Sequence, residues 1–284
     1  MAITLSNVGK RYGQHQALRG VDLTLNVGQP VTLLGKNGAG KSTLLKIIAG
    51  LTAPTDGTLD TPPQFRVAYL PEDRGLYGQL DVTTHLRYFA ELAEIDPAPA
   101  VSSWLQRLQI EHLAKAKVKD LSKGNQQKIQ LASCLIDEPE CALLDEPFSG
   151  LDPINLILLR EVIRDYARDH YVMLSAHHVD QIAGLSDHVV FLRQGHVVAN
   201  GPLHQITAQH GGRHLVISDT PEHRTTLDGY ADLTYTAENH NLVTSPLPWD
   251  QARTVVDTIA GDGSDIAFRS RSLSELFVDL LGGE

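Results

Sequence analysis

Gly35-Lys36-Asn37-Gly38-Ala39-Gly40-Lys41-Ser42 follows the short apolar run Val31-Thr32-Leu33-Leu34 and leads into a helical pattern, Ser42 to Ala49, that Gly50 ends. The stretch satisfies G-x-x-x-x-G-K-[ST] in the strand, loop, helix setting which that motif requires. Its glycines let successive backbone N–H groups turn inward around a phosphate, and the helix starting near Lys41 points its positive dipole end at the same place. Gly35, Lys36, Asn37, Gly38, Ala39, Gly40, Lys41, Ser42 and Thr43 are therefore the candidate phosphate-binding residues. Lys41 would reach the β and γ phosphates, and Ser42 would offer its hydroxyl to Mg²⁺.

Outward from this loop, alternation at Ile3 and Leu5 and again at Val21, Leu23 and Leu25 predicts two antiparallel strands around the turn Tyr12-Gly13-Gln14. From Val82 to about Pro139 the pattern becomes helical, with Leu86, Phe89, Ala90 and Ala93, then Trp104, Leu105 and Leu108, then Ile129, Ala132, Ser133 and Ile136 on successive faces. Buried-strand runs return at Cys141 to Leu144, Tyr171 to Leu174 and His188 to Leu192, with a helix from Pro153 to Arg168 between the first two. Strands alternating with helices predict a parallel sheet covered on both faces. Beyond Gly201, strands at Leu215 to Ser218, Leu233 to Thr236, Leu242 to Thr244 and Ile266 to Arg269 surround helices at Pro221 to Gly229 and Trp249 to Ala260. That order reads as a small ferredoxin-like βαββαβ module. A last helix, Ser272 to Leu281, sets Leu273, Leu276, Phe277 and Leu280 on one face.

With 284 residues, 42% hydrophobic and 20% charged, the composition is that of a globular chain able to bury a sizeable core. No apolar run approaches the roughly 18 to 20 residues that a membrane-spanning helix needs. The start, Met1 to Lys10, lacks the basic and apolar regions of a secretion signal, so a cytoplasmic location is expected. Cys134 and Cys141, the only cysteines, are too few for a disulfide framework and read as reduced core residues. The formal charge of -10 is uneven: Leu203 to Glu284 carries twelve acidic residues against five arginines and no lysine. Such a tail repels phosphate backbones, so nucleic acid is not an expected partner.

Cys141-Ala142-Leu143-Leu144-Asp145-Glu146 ends a buried strand on two carboxylates. Near a phosphate-binding loop, Mg²⁺ wants an oxygen ligand and an attacking water needs a polarising group. Asp145 suits the first role and Glu146 the second. At this point the chain resembles the nucleotide-binding subunit of an ABC transporter. Leu121-Ser122-Lys123-Gly124-Asn125-Gln126-Gln127 is similar to the family signature LSGGQ, Ser149-Gly150-Leu151-Asp152 to its D-loop, and Ser175-Ala176-His177 to its switch histidine, while Tyr12 stands where the family sets an aromatic ring against adenine. The resemblance runs from about Ala2 to Leu203.

It implies an α/β P-loop NTPase of the ABC type: an antiparallel β subdomain, a RecA-like parallel-sheet core and a helical subdomain at about 78–138, all within an ATP-binding domain at 1–205. A small C-terminal accessory domain, the ferredoxin-like α+β module, would occupy 211–284. It further implies ATP and Mg²⁺ as cofactors, His177 bonding the γ-phosphate, and Ser122, Gly124 and Asp152 meeting the nucleotide held by a second copy of the chain. ATP would join two copies head to tail, and hydrolysis would part them to drive a separately encoded transmembrane permease, with this subunit peripheral on the cytoplasmic face of the membrane. Pro71-Glu72-Asp73-Arg74-Gly75-Leu76-Tyr77, LSKGNQQK and the ending Ser272-Leu273-Ser274-Glu275-Leu276-Phe277 resemble the bacterial ABC-2 type exporter ATPases of sodium and drug efflux. Leu76, Tyr77, Leu80 and Leu86 are candidates to line the groove that receives the permease, with internal packing as the alternative.

Two motifs depart from the pattern. Lys123 and Asn125 replace a glycine and the glutamine of LSGGQ, with Ser122 and Gly124 intact, and Glu72 stands in place of the Q-loop glutamine. A carboxylate there can still coordinate Mg²⁺ or order water, but it adds a negative charge beside the γ-phosphate. The acid at Glu72 is thus a candidate both for catalysis and for the metal. Asp152 has the alternative reading of a helix N-cap for the segment that Pro153 starts, and His178 reads as structural. A non-transport ABC ATPase acting on a soluble assembly scaffold or ribosome is the alternative function.

Overall fold

The structure, a computed structural model, describes residues 2–282 apart from 74, 178–181, 183, 211–212, 231–232, 248, 260–265 and 271–272. His178 therefore lies outside the described residues, as do Arg74 of the exporter-like stretch, Ala260 and Ser272. The chain divides into two compact units, Met1–Gly201 and Pro202–Glu284.

In the first unit, β1 (Ile3–Tyr12) and β2 (His15–Leu25) form the antiparallel pair, with Ile3 opposite Leu25, Leu5 opposite Leu23 and Val8 opposite Val21. After β3 (Val31–Leu34) come the glycine-rich loop and α1 (Lys41–Ile48). A strand not foreseen from sequence, β4 (Asp56–Asp60), then pairs with β1. Its sequence Asp-Gly-Thr-Leu-Asp has only Leu59 partly buried, so no alternation marks it. The chain continues through β5 (Val67–Leu70), α2 (Val82–Leu92), α3 (Pro97–Arg107), α4 (Lys123–Leu135), β6 (Cys141–Leu144), α5 (Pro153–Ala167), β7 (Tyr171–Ala176), β8 (His188–Arg193) and β9 (His196–Pro202). The central sheet has the order β5-β6-β7-β3-β8-β9 and is parallel from β5 to β8.

β9 is the second strand missed by sequence. It follows a two-residue turn, Gln194-Gly195, with both residues at positive φ, 49° and 82°, as a tight hairpin turn demands. Gly195 also joins the two sheets: its N–H donates to Ala39 O at 3.0 Å, and its carbonyl accepts from Arg19 N at 2.9 Å. A Cβ at Gly195 would fall 2.7 Å from Ala17 O, so only glycine allows this approach.

One buried cluster links the sheets through α1, with Leu23 and Leu25 from β2, Leu44, Leu45, Ile47 and Ile48 from α1, Leu33 from β3, Leu143 from β6 and Met173 from β7. An eight-residue helix is marginal on propensity alone, and α1 has no side-chain cap at its N-terminus. Burial of its four aliphatic side chains, at roughly 1.5–3 kcal/mol each, stabilises a helix whose first N–H groups stay free.

The helical segment places Leu86, Ala90, Trp104, Leu105, Leu108, Ile129, Ala132 and Ile136 in its core. Leu86 is fully buried and cannot line an open groove, which corrects that part of the groove reading. Tyr77 is exposed, with Leu76 and Leu80 half-buried. Beneath Tyr77, His85 is fully buried against Phe89, its Nε2 3.1 Å from Ser133 Oγ and its Nδ1 facing no hydrogen-bonding partner among the described residues.

The second unit follows α6 (Leu203–His210), a helix unmarked in sequence, with β10 (Arg213–Ser218), α7 (Pro221–Asp228), β11 (Tyr235–Glu238), β12 (Asn241–Thr244), α8 (Trp249–Ile259), β13 (Ile266–Ser270) and α9 (Leu273–Gly282). Its sheet order, β11-β12-β10-β13, with antiparallel neighbours throughout, is that of a ferredoxin-like module. β11 sits two residues later than the sequence suggested because Asn239 and His240, at φ 47° and 65°, form its turn to β12. In α9, Leu276 and Leu281 are buried, whereas Leu280 of the expected face is only half-buried.

Burial of His85 holds its pKa down to about 4, against 6.5 for the free side chain. As pH falls from 6.5 toward 4 the unfolded chain takes up this proton first, so a stability contribution complete above pH 6.5 is lost across that interval. The unfolding midpoint of His85→Leu, followed by circular dichroism, should fall less steeply than wild type over the same range. Parallel curves would show that His85 contributes nothing to acid sensitivity.

Candidate functional site

Three parallel strands deliver the site. β3, β6 and β7 are in register, Leu34 opposite Ala176 and Leu144 opposite Leu174, so Gly35, Asp145 and His177 emerge from the same edge of the sheet. Gly35 and Gly40 are required by close approach, since a Cβ on either would fall 2.6 Å from a backbone oxygen, that of Leu192 or of Ala17. Gly40, at φ 107°, carries the loop into α1 with no side chain over the helix end. The unpaired N–H groups of the first turn are thereby available to an anion. Ala39 is buried and donates its N–H to Lys36 O at 3.1 Å.

A pocket of about 310 Å³ brings together Tyr12, Asn37, Gly38, Gly40, Lys41, Ser42, Thr43, Glu72, Asp145 and Glu146. His15 and Ala17, which sequence reasoning did not single out, also line it. Tyr12 is half exposed at the end of β1, with the Lys10 ammonium 5.0 Å from its ring centroid.

At the sheet edge the charged groups hold one another. Buried Lys41 donates to Gly35 O at 2.9 Å and lies 3.5 Å from Glu146 Oε1, while Glu146 Oε2 lies 2.6 Å from His177 Nδ1. Glu146 is itself buried and takes φ 51°, a left-handed conformation uncommon for a side chain of its size. Two residues not foreseen from sequence fix this corner. Ser175 Oγ donates to Asp145 Oδ1 at 2.6 Å and accepts from Glu146 N at 2.9 Å, and Tyr69 Oη donates to Asp145 Oδ2 at 3.0 Å. Burial, followed by the charge and hydrogen bond of Asp145 and the charge of Glu72, pushes the Tyr69 phenol well above its ordinary value and keeps it a donor. Glu72 is exposed on the loop after β5, and Gln130 of α4 grips that loop from below, donating to Pro71 O at 2.9 Å and Asp73 O at 3.3 Å.

Ser122, Gly124 and Asp152 are not among the residues lining this pocket. Ser122 caps α4 by accepting from Asn125 N, and Asp152 caps α5 by accepting from Ile154 N and Asn155 N. The cap reading of Asp152 is thus realised within the single chain. The two helix starts adjoin: a Cβ at Gly124 would sit 2.9 Å from Asn155 Nδ2 and 3.6 Å from Asp152 Oδ2.

A family profile described as ABC transporter matches residues 18–149, the segment holding the loop, the signature-like stretch and the paired carboxylates. An uncharacterized ABC transporter ATP-binding protein of Methanocaldococcus jannaschii is 33% identical over 98% of both chains. The chain belongs to the family of ABC transporter ATP-binding proteins. A Bacillus subtilis protein described in the same words is 37% identical over 76% of each chain. The solved structure of an ATP-binding subunit of an ABC transporter, 29% identical, superposes with a TM-score of 0.66 over 74% of this chain and 93% of its own. Relatives named for both transport directions occur: the Nod factor export ATP-binding protein I of Cupriavidus metallidurans, 32% identical over 72% of both chains, and the zinc import ATP-binding protein of Yersinia enterocolitica, 32% identical over 70% of this chain and 79% of its own. Membership of this family makes the chain an ATP-binding ATPase subunit of a transporter complex.

Ser175→Ala removes the hydroxyl that both orients Asp145 and holds the Glu146 N–H, leaving two buried polar groups short of a partner. Stability should fall by about 1–3 kcal/mol. The kcat for ATP hydrolysis should drop about tenfold or more, equivalent to about 1.4 kcal/mol of barrier, with ATP affinity little changed. An undiminished kcat would remove Ser175 from the support of the site.

Proposed function

We propose that residues 1–205, with a helical subdomain at about 78–138, bind and hydrolyse ATP with Mg²⁺ and drive a separately encoded membrane permease as an exporter, residues 211–284 being an accessory domain. The observation that supports this most is the Lys41–Glu146–His177 chain standing at the mouth of a loop built for phosphate. Gly35 to Thr43 would hold the phosphates through backbone N–H groups and the Lys41 ammonium, and Tyr12 would carry the adenine. In this reading Lys41 exchanges Glu146 for phosphate oxygens when ATP enters, which frees the Glu146 carboxylate to orient a water and accept its proton. His177, already bonded to Glu146, would hold that carboxylate in place and reach the γ-phosphate.

The Ser42 hydroxyl and the Asp145 carboxylate line one pocket, and Asp145 is ordered by Ser175 and Tyr69, a hard-oxygen set that suits Mg²⁺. When bound, the metal would draw charge from the phosphate oxygens. Glu72 lines the same pocket and is a candidate further ligand or water-ordering group.

Ser122, Gly124 and Asp152 would complete the site of a second copy in an ATP-joined homodimer. No helix among the described residues is long and apolar enough to cross a membrane, so the membrane-spanning part of the proposed complex falls to a partner. The ABC-2 exporter resemblance and the Nod factor export relatives favour export, against one relative named for zinc import.

Glu146→Gln should keep ATP binding, lose hydrolysis and accumulate an ATP-bound dimer by light scattering, whereas Lys41→Ala should lose most ATP binding. A Glu146→Gln protein that stays monomeric at saturating Mg-ATP would count against the homodimer. Affinity purification from detergent-solubilised membranes at native expression level tests the transporter assignment. A stoichiometric multi-spanning protein is expected, and recovery with only ribosomal or scaffold proteins would overturn the permease partner.

A further inference from the structure

A second cleft, of about 620 Å³, opens along β2, the outer strand of its sheet. It shares His15, Ala17 and Gly38 with the pocket described above, so the two are continuous at those residues. Its remaining wall includes Arg11, Arg19, Gln16 and Gln194 and holds no carboxylate, although the chain as a whole carries a formal charge of -10. Neither the Arg11 nor the Arg19 guanidinium has an ion-pair partner among the described residues. Their backbones are fixed: Arg11 N donates to Thr55 Oγ1 at 3.0 Å, and Arg19 N donates to Gly195 O at 2.9 Å. Two exposed, uncommitted guanidiniums carried on fixed backbone positions, with a histidine and amides around them, make a site for a divalent oxyanion, because the guanidinium fork matches phosphate oxygens.

The position of the cleft says how such an anion would arrive. With the base against Tyr12 and the phosphates on Gly38 to Thr43, the ribose that connects them must pass His15, the residue paired with Tyr12 across the β1–β2 turn. The free edge of the ribose carries its 2′- and 3′-hydroxyls, and the basic cleft begins there. We propose that this cleft is an anion subsite that receives a phosphate carried on the ribose of a bound nucleotide, so that the chain discriminates ribose-phosphorylated nucleotides from plain ADP and ATP. This rests on the nucleotide lying in the loop pocket as described above. The subsite adds a regulatory or competing ligand to the ATP site: nucleoside 5′-polyphosphates bearing an extra 2′- or 3′-phosphate would occupy the loop and the cleft together.

The test is calorimetric titration of the full chain with ADP, 2′-phospho-ADP and 3′-phospho-ADP, repeated for Arg11→Ala, Arg19→Ala and the double variant. One of the two phosphorylated nucleotides should bind wild type about tenfold or more tightly than ADP, a gain of the size expected for charge-assisted contacts. The advantage should shrink with rising salt. The double variant should lose it while binding ADP as wild type does. Equal affinities for all three nucleotides in wild type would overturn the subsite, as would an advantage that survives loss of both arginines. A loss of ADP affinity in the double variant equal to the loss for the phosphorylated nucleotide would also overturn it, by making the arginines part of ordinary nucleotide binding. Wild type that fails to bind ADP at all would instead overturn the nucleotide reading on which the subsite rests.

Discussion

The Glu146 carboxylate ties the working end of the sheet together. One oxygen meets the Lys41 ammonium at the start of α1 and the other meets His177 at the end of β7, while its backbone N–H is held by Ser175. Without these partners, a buried acid in a left-handed backbone conformation would combine two costs, desolvation and strain, of order several kcal/mol. With them, the same residue links two strands and a helix. The parallel register of β3, β6 and β7 supplies the condition for this, because strands that finish within two residues of one another bring the loop, the acid pair and the histidine within reach of one another.

The site also stores its opposite charges against one another. Lys41 is satisfied by Gly35 O and by Glu146, and Asp145 by Ser175 and Tyr69. Glu146 Oε1 alone faces Lys41 without a hydrogen bond, at ion-pair distance. In the proposed reading, an arriving phosphate oxygen would compete for the same ammonium, so the entry of an anionic ligand and the release of the acid would be one exchange.

The sequence was most legible where chemistry and burial coincide. Val31 to Leu34, Cys141 to Leu144 and Tyr171 to Leu174 are apolar because both faces of the sheet are covered, and each is followed by residues with unmistakable chemistry. Ser175 and Gln130 carried no such mark: a serine in a strand and a glutamine in a helix become meaningful only when register sets one beside Asp145 and packing sets the other under the Pro71–Asp73 backbone. β4 and β9 escaped notice because edge strands with few buried side chains lack alternation, and Leu86 was misread because helical periodicity names an apolar face without saying what covers it. In the second unit the order of elements was readable, but β11 was displaced by a turn whose positive φ values fall on Asn239 and His240 rather than on glycine.

Gly195 has a wider effect than closing a hairpin. By bonding to Ala39 on one side and Arg19 on the other, it fastens the strand pair bearing Tyr12 to the loop bearing Lys41. The groups that would meet the base and those that would meet the phosphates then share one rigid frame. A ligand spanning both need not draw them together, so little of its binding free energy is consumed in ordering the protein, and more remains to drive motion elsewhere.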